Sequence, residues 1–129
     1  EIYDHIKESN GDCEVLAAPF AVFLYDDGFN YVEPDISVIC DRSKLDEKGC
    51  HGAPDWVIEI VSQSSKSRDY MTKLFQYRAA GVREYWIVDP ERQTVMVYGF
   101  EKDVVEQYGF GEEMPVGIYE GFSITLTGV

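Results

Sequence analysis

Two short apolar runs separated by a stretch of helical pattern do most to restrict what this chain can fold into. Residues 56–62 read WVIEIVS and residues 84–89 read EYWIVD. Runs this short and this apolar predict strands covered on both faces, the first of them at the centre of a sheet. Between them Tyr70, Leu74 and Tyr77 share one helical flank, and Met71, Leu74, Phe75 and Arg78 share another. Ser67 is the expected N-cap, Asp69 suits the first turn, and Gly81 suits the residue just past the helix. Around this strand–helix–strand unit, residues 14–18, 20–25, 36–40, 94–100, 104–108 and 122–126 read as further strands. A turn is expected at Asp26, Asp27 and Gly28, and a loop, with or without a short helix, over residues 41–54. The predicted fold class is α/β: a mixed central β-sheet flanked by helices, with extra C-terminal β-strands.

The 129 residues suit a single domain, able to bury about two-thirds of its unfolded surface unaided. The chain opens at Glu1 without an initiator Met. Ile2 and Ile6 at helical spacing predict the tail of a helix whose start, with an N-terminal part of the domain, lies upstream. No apolar run approaches the roughly 20 residues needed to span a bilayer, and no signal-peptide pattern is present. The expected location is therefore the cytoplasm, with no membrane partner. Cys13, Cys40 and Cys50 are odd in number and lack C-x-x-C spacing, which predicts buried or half-buried thiols rather than a disulfide framework or a zinc knuckle. His5 and His51 are expected at the surface.

Twenty-four acidic residues against 11 basic ones give a net charge of −13, the reverse of what a nucleic-acid binder normally shows. The distribution is uneven. Lys66, Arg68, Lys73, Arg78 and Arg83 face only Asp69 and form a basic island, whereas Glu101, Asp103, Glu106, Glu112, Glu113 and Glu120 read as a solvated acidic face.

Glu59 is the anomaly within the first run. An ionised carboxylate in a buried strand costs several kcal/mol unless it is paired, hydrogen-bonded or bound to a metal. Alternation puts Val57, Glu59 and Val61 on one face and Trp56, Ile58 and Ile60 on the other. From Glu59 to Ser62 is about 10 Å of strand, and from Ser67 to Lys73 about 9 Å of helix. If the helix folds back along the strand, Lys73 returns to the level of Glu59, with Asp69 and Tyr77 one turn to either side on the same stripe. Asp35, placed by Pro34 at the start of PDISVIC, is a second acid on a strand expected to neighbour the first. Two carboxylates and a lysine in one pocket would call for a hard cation such as Mg²⁺. Such a cation supports phosphodiester hydrolysis, with Lys73 orienting water and steadying charge on phosphate oxygens. The plainer alternatives are that Asp35 only starts its strand, that Glu59 and Lys73 form a buried ion pair, that Asp55 precedes its strand as a start signal, and that Asp89 before Pro90 ends a strand in a turn.

These residues resemble the PD-(D/E)XK nuclease superfamily, and within it the Uma-two family of restriction-endonuclease-like proteins. The matching stretches are AAPFAVFL, PDISVI, GAPDWVIEIVS, RDYMTKLFQYRAAGVREYWIVDP and TVMVY, in order, covering most of residues 17–98. The resemblance implies a restriction-endonuclease-like core that hydrolyses nucleic-acid phosphodiesters, DNA before RNA, as an endonuclease using Mg²⁺ or Mn²⁺. It makes Asp35 the aspartate of the Pro-Asp motif and Glu59 the acid of (D/E)XK, both metal ligands, with the main-chain carbonyl of Ile60 as a further ligand. Val61 stands where that motif has lysine, and Lys73 matches the family's lysine on the following helix. Gln63 replaces the family's proline, and the family's upstream helix is not present. The alternatives are a catalytically weak or inert domain that binds nucleic acid or protein, and a dimerising module. A homodimer is favoured if exposed rings among Tyr85, Trp86 and Tyr98 pack on a second chain.

Overall fold

The computed structural model describes residues 6, 13–25, 30–61, 67–119 and 121–127, with the side chains of residues 67–69 excepted. Its centre is a mixed six-stranded sheet in the order β1-β3-β6-β7-β8-β9. These strands are β1 (Glu14–Ala17), β3 (Ile36–Ile39), β6 (Trp56–Ile60), β7 (Glu84–Asp89), β8 (Thr94–Gly99) and β9 (Val104–Gly109). The two apolar runs become β6 and β7, paired in parallel with Trp56 opposite Glu84 and Ile60 opposite Val88. Helix α1 (Ser67–Ala80) makes the crossover. The remaining neighbours in this sheet pair antiparallel.

Alternation sorts the side chains of β6 as the sequence predicts. Trp56 and Ile58, with Trp86 and Val88 of β7, pack into one core; Val57 and Tyr85 pack with Tyr77 of α1 into another. On the first face the cover is a hairpin of β10 (Glu113–Pro115) and β11 (Ser123–Thr125), which presses Met114, Val116, Ile124 and Leu126 onto the sheet. Ile6, helical and fully buried, joins them. Its partner in the expected helical pattern, Ile2, lies outside the described residues.

Gly81 ends α1 at φ 102°, a conformation that a Cβ disfavours. Val82 N donates to Tyr77 O at 3.0 Å and Gly81 N to Arg78 O at 3.3 Å, while Val82 and Tyr77 pack together. This is a Schellman C-cap with its apolar contact. The N-cap side chains and the expected turn at Asp26, Asp27 and Gly28 lie outside the described residues.

Several expectations are corrected. Residues 41–54 are not simply a loop: a 3-10 turn (Arg42–Lys44) leads into β4 (Leu45–Asp46) and β5 (Gly49–His51), and β5 also pairs in parallel with β2 (Val22–Phe23). Cys13 and Cys40 form a disulfide, leaving Cys50 free and buried. The pairing Glu14 with Ile39, extended by one residue, sets these cysteines opposite each other, which spacing along the chain does not reveal. His51 is half-buried, stacked on Phe23 with its Nε2 2.8 Å from Asp46 Oδ2; His5 is not among the described residues. Tyr85 and Trp86 are fully buried, so neither ring is available to a second chain. No described helix is long and apolar enough to cross a membrane.

Candidate active site

The register of β3 on β6 decides where the two acids stand. Ile36 faces Ile58, so one residue further Asp35 lies opposite Glu59. Residues opposed across an antiparallel ladder point to the same face, here the face that carries α1. Two reciprocal bonds stitch the pair together: Asp35 N donates to Glu59 Oε1 at 3.3 Å, and Ile60 N donates to Asp35 Oδ2 at 2.6 Å.

Helix α1 returns along β6, as the length argument requires. Lys73 Nζ donates to Glu59 Oε2 at 2.9 Å, and the Tyr77 hydroxyl, one turn further, donates to the same oxygen at 3.0 Å. The Glu59 side chain is 5% exposed and that of Lys73 34%, so the ammonium sits at the rim with the carboxylate beneath it. Lys73 Nζ also lies 5.9 Å from the centre of the Tyr70 ring. Burial, then the neighbouring Glu59 charge, push the Tyr77 phenol well up, so its proton stays on the oxygen and donates to Glu59. The helical stripe predicts Tyr77 near Glu59; its role as a second donor to the carboxylate is a finding of the structure.

The oxygens here suit a hard cation. Among the described residues Asp35 Oδ1 takes no hydrogen bond, and Glu59 Oε1 takes only the long one from Asp35 N. Val61 N donates to Val88 O of β7 at 2.8 Å. Across a trans peptide the carbonyl points the opposite way, so the Ile60 oxygen points away from β7, toward the Asp35 side. Two carboxylate oxygens and a carbonyl make a donor set of the kind Mg²⁺ accepts, the remainder of its shell being water. Among the described residues no three His, Cys, Asp or Glu side chains come together to hold an ion, so main chain and water would have to contribute.

The basic island is less open than its sequence suggests. Arg78 lies 3.3 Å from Asp103, and Arg83 pairs with Glu101 at 2.9 and 3.0 Å and with Asp55 at 3.2 Å. Lys66 and the Arg68 side chain lie outside the described residues. Asp55 also accepts from Cys40 N at 2.8 Å, tying the start of β6 to the end of β3, and Asp89 accepts from Arg92 N at 3.1 Å in a strand-ending turn. A cavity of about 210 Å³ on the hairpin side of the sheet has Glu84 at its wall. Trp86 Nε1 and the backbone of Gly117 and Ile118 donate to that carboxylate. A Cβ at Gly117 would stand 2.6 Å from Glu84 Oε1, so any larger residue there would push the carboxylate aside. Glu84 is thus a latch between hairpin and sheet.

An aspartate and a glutamate facing each other on neighbouring strands, with a lysine delivered by the crossover helix, place this α/β sheet in the restriction-endonuclease-like class. The chain belongs to the Uma2 family, described as "Putative restriction endonuclease", which it matches over residues 1–127. It is also similar to the crystal structure of a "putative nuclease belonging to DUF820" from Anabaena variabilis ATCC 29413, at 25% identity and a TM-score of 0.67. That match covers 89% of this chain and 65% of the other, so the chain spans less than two-thirds of that protein's length. No curated protein matches it.

Proposed function

We propose that this chain is a nuclease domain that hydrolyses nucleic-acid phosphodiesters, DNA before RNA, as a metal-dependent endonuclease. The observation that carries this is the convergence of Asp35 and Lys73, distant in sequence, on Glu59, to which each is hydrogen-bonded. Asp35, Glu59 and the Ile60 carbonyl would hold Mg²⁺ or Mn²⁺, which supplies Lewis acidity toward phosphate and lowers the pKa of water. Lys73 has three donors and, among the described residues, gives one to Glu59, so others can orient a water and steady a phosphate oxygen. Tyr77 holds the Glu59 carboxylate still, and the packed β6–α1 interface keeps bulk water from beneath it. Hydrolysis adds water across the P–O bond, giving a phosphate on one fragment and a hydroxyl on the other. The cytoplasm is the proposed location.

The test is a cleavage assay on DNA and RNA of several forms with Mg²⁺ or Mn²⁺, run beside Asp35→Ala, Glu59→Ala and Lys73→Ala. Each substitution is expected to lower the rate by about 10²–10³-fold, the scale of removing one transition-state stabiliser. Equal activity in all four proteins would mean a contaminant and would end the proposal. The paired state of Arg78 and Arg83, together with the net charge of −13, favours a second reading, a domain that binds without cutting. Calorimetry separates the two: site-specific Mg²⁺ or Mn²⁺ uptake that vanishes in Glu59→Ala belongs only to the first.

A further inference from the structure

Between residues around β2 and Gln76 of α1 lies an open cleft of about 410 Å³, lined by Val22, Leu24, Tyr25, Asn30, Tyr31, Val32 and Gln76. Two of its rings are unusually bare, with Tyr25 60% and Tyr31 55% exposed. Tyr31 is nonetheless held in place: its ring packs on Phe23 at 5.6 Å, and Phe23 in turn stacks on His51 at 5.1 Å and 10°. The floor is rigid as well, because Val22 and Val32 bond to each other through both backbone amides at 2.8 and 3.0 Å.

Two elements link the lining of the cleft to the residues of the proposed active site. Val32 leads to Asp35 in three residues, about 10 Å of extended chain. Gln76 follows Lys73 by one turn of α1, about 4.5 Å along its axis.

We propose that this cleft takes the unstacked bases of a single-stranded segment, with Tyr25 and Tyr31 as stacking platforms, so that the substrate is single-stranded or frayed beside the scissile bond. This rests on the nuclease reading above. Stacking on an aromatic face is available to every base and needs little positive charge, which suits a domain whose described arginines in the basic island are engaged by acids. The bases of an intact duplex remain stacked on one another and cannot present a face to either ring.

The experiment measures binding by fluorescence anisotropy in EDTA, so that nothing is cut. The ligands are a labelled single-stranded oligodeoxynucleotide, the same sequence as RNA, and its DNA duplex. The single strands should bind more tightly than the duplex. Tyr25→Ser and Tyr31→Ser should each weaken single-strand binding about tenfold, leave duplex binding unchanged, and be rescued by Phe, which keeps the π-face. Equal loss on duplex and single strand, no loss, or failure of Phe to rescue would overturn the proposal, as would ring-dependent dimers in light scattering without oligonucleotide binding. The two readings fail separately. Cleavage lost in Glu59→Ala but intact on single strands in both serine variants sinks the platform and leaves the nuclease. Ring-dependent single-strand binding with no Glu59-dependent cleavage does the reverse.

Discussion

Glu59 is 4% exposed, and its two oxygens are met by three donors of different character: an ammonium at the rim, a buried phenol and a backbone amide. These donors separate support from chemistry. Tyr77→Phe removes a buried hydrogen bond to a charged group and should cost about 2 kcal/mol in urea unfolding, with a modest fall in rate. Lys73→Met removes a partly exposed partner, should cost only about 1 kcal/mol, and should nearly abolish cleavage. If the two variants lost stability and activity in the same proportion, Lys73 would be a structural ion-pair partner and no more. Glu84 presents the opposite electrostatic case. Burial raises its pKa above the ordinary 4.5, against the opposing pull of Trp86, the Gly117 and Ile118 amides and Lys102. A raised carboxyl pKa means that the folded state holds the proton longer than the unfolded one. Its contribution to stability is full below about pH 4.5 and is lost as pH rises through the folded value. Glu84→Gln should therefore gain stability relative to wild type as pH climbs from 4.5, measured as the difference between their urea midpoints; a difference independent of pH would refute the assignment.

At the scale of elements, the C-terminal hairpin does for one sheet face what α1 does for the other, and Met114 is its fully buried anchor. Met114→Ala should cost about 2–5 kcal/mol by chemical denaturation, a loss that an exposed site on β9 would not show. Strands β6 and β7 and the C-terminus of α1 are legible in the sequence because a local signal marks each: continuous apolar runs for the strands and Gly81 for the helix end. The acid pair is legible for a related reason, since one charge in a run such as WVIEIVS demands partners. What is not legible depends on register or on neighbours from elsewhere in the chain. Strands β4 and β5 sit in a polar stretch whose buried Cys50 carries no periodic signal, and β10 holds Pro115, which argues against a strand until β11 is beside it. Ile60 belongs to the apolar run yet emerges 39% exposed, because strand β6 ends there.

For the molecule as a whole, the Cys13–Cys40 bond closes a loop across a separation of 27 residues, tying the outer strand β1 to β3. Loop-closure entropy puts its contribution at about 3.5 kcal/mol, an upper figure where the reduced chain keeps structure. Cys13→Ser or a reducing agent should lower the thermal midpoint accordingly, and an unchanged melt would show that the bond is not formed in solution. In the cytoplasm, the proposed location, the bond would stand open, so β1 is the strand whose attachment in the isolated protein exceeds that in the cell. The far end of β3 answers to a different constraint. Asp35 and Glu59 each complete the other's backbone bonding, by Asp35 N to the glutamate and Ile60 N to the aspartate. Lys73 reaches in from the rim, where among the described residues it pairs with Glu59 and lies over the Tyr70 ring. A descendant of this domain that gave up the proposed chemistry while remaining folded would thus let the lysine decay first, and the two acids would persist as relics of the backbone bonds they complete.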